Sequence, residues 1–535
     1  MTLVVLLVGL LAAGKISHAA AVNIITNRYD TNRTAANLAE TVLTTTNVRP
    51  GFFGKLWSYP VEGAIFAQPL YVQHLSMFGL GVHNVLYIAT MHDVIYAVDA
   101  DHPGTPLWMR DFRSLTTPVG VSSWPELGDA MGVLSTPIIS LSSNRMFIVA
   151  TTLEGAQNVY RLHSLDIRSG ADTTPATIVQ ATLGENAIDS VHNIQRAALA
   201  IANGQVFISF SGNPHDTRPY HGWVLMYNMN TLRQTSAFAT TTSVDGAGVW
   251  QSGGGPPLDG SGCVYFLTGN GFTIGNDGIS NFSETLLKFT TSPPSNKSLA
   301  LIDWFTPSNW SYLDSYDLDL SCNAPVLIPG TDLIAFGSKT GDMYVLHKDA
   351  LGRLQAGDPQ VVQSFHVGGN FNYGNRIIGL AYWKRSNASS VLYAWAGYDV
   401  LRAFTFNGAR FIPAKFGTIS GNGEPSMAIS VSANGGLSGT GIVWATQTYG
   451  GRTVGSAGIL RAFNAENPSE ELWNSLMNPE RDDIGPLAKF VIPVVANGKV
   501  YMASSNSPNS PNAAVHVFGV LVPVLKVLAT GYPGF

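Results

Sequence analysis

Val85-Leu-Tyr-Ile-Ala-Thr90 is a short apolar run closed by a small hydroxylated residue, and the chain carries eight versions of it. The others are MFIVAT from Met146, VFISFS from Val206, VYFLTG from Val264, LIAFGS from Leu333, VLYAWA from Val391, IVWATQ from Ile442 and VYMASS from Val500. They recur roughly every 60 residues, with a stretched step before Leu333 and a short one before Ile442. Each follows another apolar run, from QPLYV at Gln68 to IPVVA at Ile492, and precedes a third, from VIYAVDA at Val94 to VHVFG at Val515. One small twisted sheet cannot bury both of its faces, but sheets packed side by side around an axis can, and closing the ring limits exposed edges. The repeats therefore predict an all-β, eight-bladed β-propeller with four-stranded antiparallel blades. The segment KLWSYPV from Lys55 has no blade of its own, so it is expected to give the last blade its outer strand. The expected organisation is a signal peptide over 1–21, an N-terminal extension over 22–50, the propeller over 51–522 and a tail over 523–535.

Composition agrees with a turn-rich β protein: apolar residues make up 45%, charged residues only 12%, and there are 55 glycines. The net charge is −5 with no basic block, which excludes a nucleic-acid partner. Leu3 to Ala13 is apolar but too short to span a bilayer, and Ala19 and Ala21 form a small-x-small cleavage site. The protein is expected to be secreted, or periplasmic in a bacterium, monomeric and without a transmembrane segment. Sequons stand at Asn32, Asn281, Asn296, Asn309 and Asn387, in keeping with a secreted glycoprotein. The two cysteines, Cys263 and Cys322, fall in neighbouring repeats and are read as a disulfide between blades or as two buried thiols.

The repeat ends carry a further signature. Ala97-Val-Asp99-Ala-Asp-His-Pro-Gly104-Thr-Pro-Leu-Trp108 resembles the A-x-D-x-x-x-G-x-x-x-W tryptophan-docking repeat of quinoprotein (PQQ-like) propellers, with one residue added. Ser164-Leu-Asp166 followed by Gly170, and Ala462-Phe-Asn464 followed by Leu472-Trp473, are partial copies, and Leu56-Trp57 resembles the tail of one. The middle of the chain resembles the pyrroloquinoline-quinone (PQQ) alcohol dehydrogenases, through Trp250-Gln-Ser-Gly-Gly-Gly, Gly269-Asn270-Gly271, Asp303-Trp304, Asp314-Ser-Tyr-Asp317 and Ser338-Lys339-Thr. That resemblance implies a quinoprotein-like fold and PQQ with Ca²⁺ as cofactors. By it, Asn270 is a Ca²⁺ ligand, either Asp314 or Asp317 is the catalytic base, Asp317 would also bind the metal, and Lys339, Trp250 and Asn270 contact the cofactor. In such a site the metal polarises a quinone carbonyl and a carboxylate removes the alcohol proton.

The sequence also departs from that family. There is no vicinal cysteine pair, no glutamate within Ser211-Gly-Asn213-Pro-His215-Asp216 and no C-x-x-C-H haem motif. Pro256-Pro257-Leu258 stands where the quinone's tryptophan floor would follow Gly253-Gly-Gly255. His215, Asp216, Arg218, Tyr220 and His221 form the densest polar cluster. His92-Asp93 and Tyr398-Asp399 occupy turns equivalent to that of Lys339, and are expected to ring the axis with it if they share its face. The leading expectation is a binding or scaffold propeller that takes a small molecule, glycan or protein at its mouth. The alternatives are a PQQ- and Ca²⁺-dependent alcohol or sugar dehydrogenase with a reworked site, or another enzyme built on the His215–His221 cluster.

Overall fold

The computed structural model describes residues 22–113, 117–120, 130–155, 157–188, 190–213, 216–272, 276–290, 299–368, 375–386, 389–422, 427–449, 456–505 and 512–521. Its strands form eight blades around an axis. Blade 1 runs from Leu70–Met77 through Gly81–Ala89 and Val94–Asp99 to Trp108–Asp111, all antiparallel. Blade 6 shows the same order in Ile377–Trp383, Val391–Ala396, Val400–Phe406 and Phe411–Ser420. The eight runs that begin with VLYIAT are the second strands, where alternate side chains face the two neighbouring blades. Both faces are thus buried, which is why these runs read as continuously apolar.

The core is consequently a ring of inter-blade clusters. Ile95, Ala97 and Trp108 pack on Met146, Ile148 and Leu165 between blades 1 and 2. Ile442, Trp444 and Trp473 pack on Val500, Met502 and Phe518 between blades 7 and 8. The docking motif behaves as the resemblance implies. Trp108 of blade 1 donates its indole N–H to the Ile167 carbonyl of blade 2 at 2.9 Å. Its ring lies so close over Gly170 that a Cβ there would sit 2.6 Å from Trp108 Cε3. Phe53–Glu62 pairs antiparallel with Asn512–Val520, so the early segment does close the ring as the outer strand of blade 8. No helix among the described residues is long and apolar enough to cross a membrane.

The N-terminal segment is part of the ring's interior. Asn23 pairs with Val72 of blade 1, and Ile25 O accepts from Ile139 N of blade 2. Thr31 O, Asn32 O, Thr34 O and Ala35 O accept from Leu258, Leu327, Tyr382 and Val431, on blades 4, 5, 6 and 7. Asn37 Nδ2 donates to Val495 O of blade 8 at 3.0 Å. An innermost strand has one row of backbone groups facing the axis and no further strand to satisfy it. This segment supplies those partners in turn, and it fills the axis. Arg28 donates to Leu380 O (3.0 Å) and Ile378 O (3.4 Å), while Arg33 donates through Nε to Pro256 O at 3.0 Å.

The two thiols correct the disulfide reading. Cys263 and Cys322 are both buried and free. Cys263 begins the strand Cys263–Leu267, whose other end leads to Gly269, whereas Cys322 and Gly269 border the same cavity at the mouth. Six residues of extended chain put them on the order of 20 Å apart, far beyond disulfide reach. Adjacent blades bring residues together only at equal depth. Of the sequons, Asn309 is exposed and Asn32 half-buried, while Asn296 and Asn387 lie outside the described residues. Asn281 is 4% exposed and its Nδ2 donates to Asp277 Oδ2 at 2.7 Å, so the folded chain leaves no room for a glycan there.

Candidate functional site at the propeller mouth

The loops that lead out of the second strands and into the first strands converge on one end of the axis. They enclose a cavity of about 230 Å³. Blade 3 contributes Ser211, Asn213, Asp216 and Tyr220, the loop before blade 4 Trp250 and Ser252, and blade 4 Asn270. The loop leading into blade 5 gives Asp317 and Asp319, and the turn within that blade gives Lys339. Arg376 stands just before the first strand of blade 6, and Lys489 and Phe490 precede that of blade 8.

Lys339 is the electrostatic centre. Its Nζ lies 2.6 Å from Asp317 Oδ1 and 2.5 Å from Asp319 Oδ2. Burial works against its charge, but Asp319 and Asp317 outweigh that and hold the ammonium protonated. Asp319 also accepts the Asn270 N–H through Oδ1 at 2.7 Å, so one carboxylate ties the blade 4 turn to the blade 5 turn. Asp314 does not border the cavity. Its Oδ1 accepts from Gly271 N at 2.8 Å and its Oδ2 from Ser283 Oγ at 2.9 Å, which props the Gly269–Gly271 turn from behind. Of the two aspartates weighed as base, only Asp317 reaches the mouth, and Asp314 is a positioning residue.

Two further carboxyl groups feel this cluster. Asp216 accepts the Tyr220 hydroxyl at 3.0 Å. Burial, and then Asp319, raise its pKa to about 6. Glu284 is wholly buried. Burial and then the charges of Asp319 and Asp314 push its pKa well above the ordinary glutamate value. Its Oε2 accepts from Leu320 N at 2.7 Å. Backbone strain gathers here too: Asp216 (φ 49°), Gln251 (φ 49°), Ser252 (φ 46°), Glu284 (φ 47°) and Asp317 (φ 53°) all adopt left-handed conformations. Such residues persist only where surrounding bonds fix them, and they concentrate at binding sites. Gln251 shows how: its Oε1 accepts from Leu267 N at 2.9 Å and its Nε2 donates to Gly254 O at 3.0 Å.

Asn270, Asp317, Lys339 and Trp250 therefore meet in one place. The polar cluster of blade 3 is largely spent on itself. Arg218 pairs with Asp245 at 2.8 Å and His221 Nδ1 shares a hydrogen bond with Thr241 at 2.9 Å, while His215 lies outside the described residues. The turns equivalent to that of Lys339 do not join the site. Asp93 is wholly buried, and Asp399 is paired with Arg402. Asp216 sat in a stretch already singled out and Asp319 lies two residues beyond the Asp314–Asp317 stretch, but nothing in the sequence showed which way they point. Arg376 and Lys489 carried no motif. Arg376 stands immediately before an inner strand and Lys489 a few residues before one.

The structure compares with solved quinoprotein enzymes. A quinohemoprotein alcohol dehydrogenase from Comamonas testosteroni superposes with a TM-score of 0.61 at 14% identity, over 94% of this chain and 81% of that one. A second, from Pseudomonas putida HK5, gives 0.60 at 12% identity over 93% and 80%. A europium-containing methanol dehydrogenase gives 0.61 at 14% identity over 93% and 98%. This chain has the fold of the quinoprotein alcohol dehydrogenases. No family model and no curated protein sequence matches it. At these identities the likeness speaks for the quinoprotein-like propeller and leaves the chemistry to the residues.

Those residues do not fit a calcium–quinone pair. Calcium wants six to eight oxygen ligands, yet Asp317 and Asp319 are already engaged by the Lys339 ammonium. Among the described residues, no group of three or more His, Cys, Asp or Glu side chains is placed to hold a metal ion. Where a tryptophan floor would follow the glycine run, Gly255 faces the buried Arg33, whose Cζ would lie 2.8 Å from any Cβ there. The cavity is lined instead by carboxylate and amide groups, by basic side chains and by the aromatic surface of Trp250 and Phe490.

Proposed function

We propose that this quinoprotein-like propeller binds a polar small molecule in its mouth and performs no quinone chemistry. The observation that carries this reading is the closed pairing of Lys339 with Asp317 and Asp319. The residues a quinone and its metal would use satisfy one another. What stays directed at the cavity is a strained, pre-set ring of hydrogen-bonding groups, and rigid polar sites of this kind suit a ligand held by many directional contacts. A secretory route belongs to the same proposal, with Asn309 as its accessible sequon.

The test is a titration of purified protein with PQQ and Ca²⁺, followed by thermal shift and absorbance. The expected result is no saturable shift at micromolar quinone. The second reading, a quinone-dependent dehydrogenase, draws on the convergence of Asn270, Asp317 and Lys339. Saturable quinone binding that is weakened by Lys339→Ala and Asn270→Ala would establish it in place of the first. Lys348→Ala is the control, because that side chain pairs with Asp349 at 2.7 Å, at the far end of its strand from the turn that holds Lys339.

Asp216 gives a pH-dependent prediction. Its folded pKa of about 6 lies above the ordinary aspartate value of 3.8, so the folded protein holds a proton that the unfolded chain releases. The penalty for ionising it is absent below pH 3.8, grows as pH rises and is complete above about 6. Asp216→Asn keeps an acceptor for Tyr220. It is expected to stabilise the protein by about 1–3 kcal/mol at pH 7.5 and by much less at pH 4.5, read from urea unfolding at the two pH values. Equal effects at both would show that Asp216 is not strained by its charge.

A further inference from the structure

A second cavity, of about 510 Å³, lies between blades 1 and 2. Blade 1 lines it with Arg110, Asp111 and Phe112, and blade 2 with Glu154, Arg161, His163 and Asp172. Glu154 ends the second strand of blade 2, so the cavity lies toward the mouth end of the cleft. The full charges around it are paired. Asp111 meets Arg113 at 2.8 Å, which Glu62 also holds at 2.6 Å, and Glu154 meets Arg161 at 2.7 Å within blade 2. Asp172 of blade 2 pairs with Arg110 of blade 1, and that contact crosses the cleft. His163 is the exception. It is 8% exposed, and neither ring nitrogen has a hydrogen bond. Its ring stacks on Phe112 of blade 1 at 4.0 Å between centroids, and the Arg110 guanidinium lies 5.6 Å from the same Phe112 ring. Asp172 Oδ1 stands 3.9 Å from His163 Nδ1, just beyond hydrogen-bond reach. Burial holds the imidazole's pKa below its ordinary 6.5 against the pull of Asp172, and the Arg110 and Arg161 charges lower it further. The ring is therefore uncharged at pH 7.5.

We propose that Asp172 is a two-position switch: at neutral pH it bridges to Arg110 and ties blade 1 to blade 2, and in acid it turns to protonated His163 and releases Arg110. One carboxylate has both claimants within reach. A neutral ring offers it little, whereas an imidazolium is a charged donor, and such bonds are about twice as strong as neutral ones. An imidazolium left without an acceptor here would be a buried, unpaired charge, so protonation drives the exchange. Arg110 has no second acceptor to fall back on among the described residues, and its Nε is already buried without a partner. The folded chain holds fewer protons on His163 than the unfolded chain does, so this joint loses stability as pH falls below 6.5.

The experiment is hydrogen exchange of the full chain read by mass spectrometry at pH 7.5 and pH 5.0, corrected for the intrinsic rate at each pH. The amides of Trp108–Asp111, the outer strand of blade 1, are expected to exchange about threefold or more faster at the lower pH, the worth of one ion pair. Phe411–Ser420, the equivalent strand of blade 6, is the control and is expected to stay unchanged. His163→Gln and His163→Phe are each expected to abolish the acceleration, so one of them suffices if the other fails to fold. Asp172→Asn is expected to exchange fast at both pH values. An unaccelerated native chain overturns the proposal. So does an acceleration that persists in a folded His163 variant or that spreads equally to Phe411–Ser420, and so does an Asp172→Asn chain that behaves as the native one.

Discussion

Replacing Arg33 with methionine is expected to cost about 3–5 kcal/mol of stability, although this residue lies outside every blade. Its side chain is wholly buried on the axis. Nε donates to Pro256 O at 3.0 Å, and Nη1 donates to Thr26 Oγ1 at 2.5 Å and Asn27 O at 2.8 Å. Burial lowers its pKa to about 10, with Asp30 acting against that, so it remains charged at neutral pH. Methionine fills a similar volume but makes none of these bonds. Two carbonyls would be left buried and unpaired, and Asp30 would lose its counter-charge. Urea unfolding of the purified protein measures the difference. A loss under about 1 kcal/mol, the range of a surface change, would show that the segment does not organise the axis.

Trp473→Ala is expected to cost a similar amount, about 3–5 kcal/mol. This indole is wholly buried between blades 7 and 8. Phe53 meets it edge-on at 5.0 Å between ring centroids, and Phe518 does so at 5.6 Å. Phe53 belongs to the early closing strand and Phe518 to the late strand it pairs with, so one side chain supports both partners of the closure. Truncation removes the apolar contact and leaves a cavity at the ring's seam, where the flanking strands come from opposite ends of the chain. Thermal melting with urea unfolding reads this. A loss no larger than that of a peripheral tryptophan such as Trp304→Ala would show that the seam is not a weak point.

The blades could be read from the sequence because their second strands are apolar on both faces and repeat. The closing strand could be read because KLWSYPV had no partners nearby. The axial segment could not be read, since its backbone bonds vary from one on blade 4 to four on blade 7 and so have no period. Arg28 and Arg33 look like surface residues until their carbonyl partners are known. At the site, resemblance singled out Asn270, Asp317 and Lys339, and all three border the mouth cavity. Spacing could not separate Asp314 from Asp317, because the single-turn helix Trp310–Ser315 turns one away from the cavity and leaves the other facing it. The cysteine pairing failed for a related reason. Membership of adjacent repeats says nothing about depth along the strand.

The seam between Phe53–Glu62 and Asn512–Val520 also sets a timetable. On the ribosome the outer strand of blade 8 emerges before any other blade strand, and its partner emerges after the first seven blades. Until that partner is made the strand has no ladder to join, and the facing flanks of blades 1 and 7 have no neighbour to cover them. The axial segment is made early as well, yet it has carbonyls reserved for blades 4 to 7 that do not yet exist. Quality control therefore has a simple criterion. A chain interrupted anywhere before its last strand exposes an open ring and an unseated plug, and proteases that sample unpaired edges will find it.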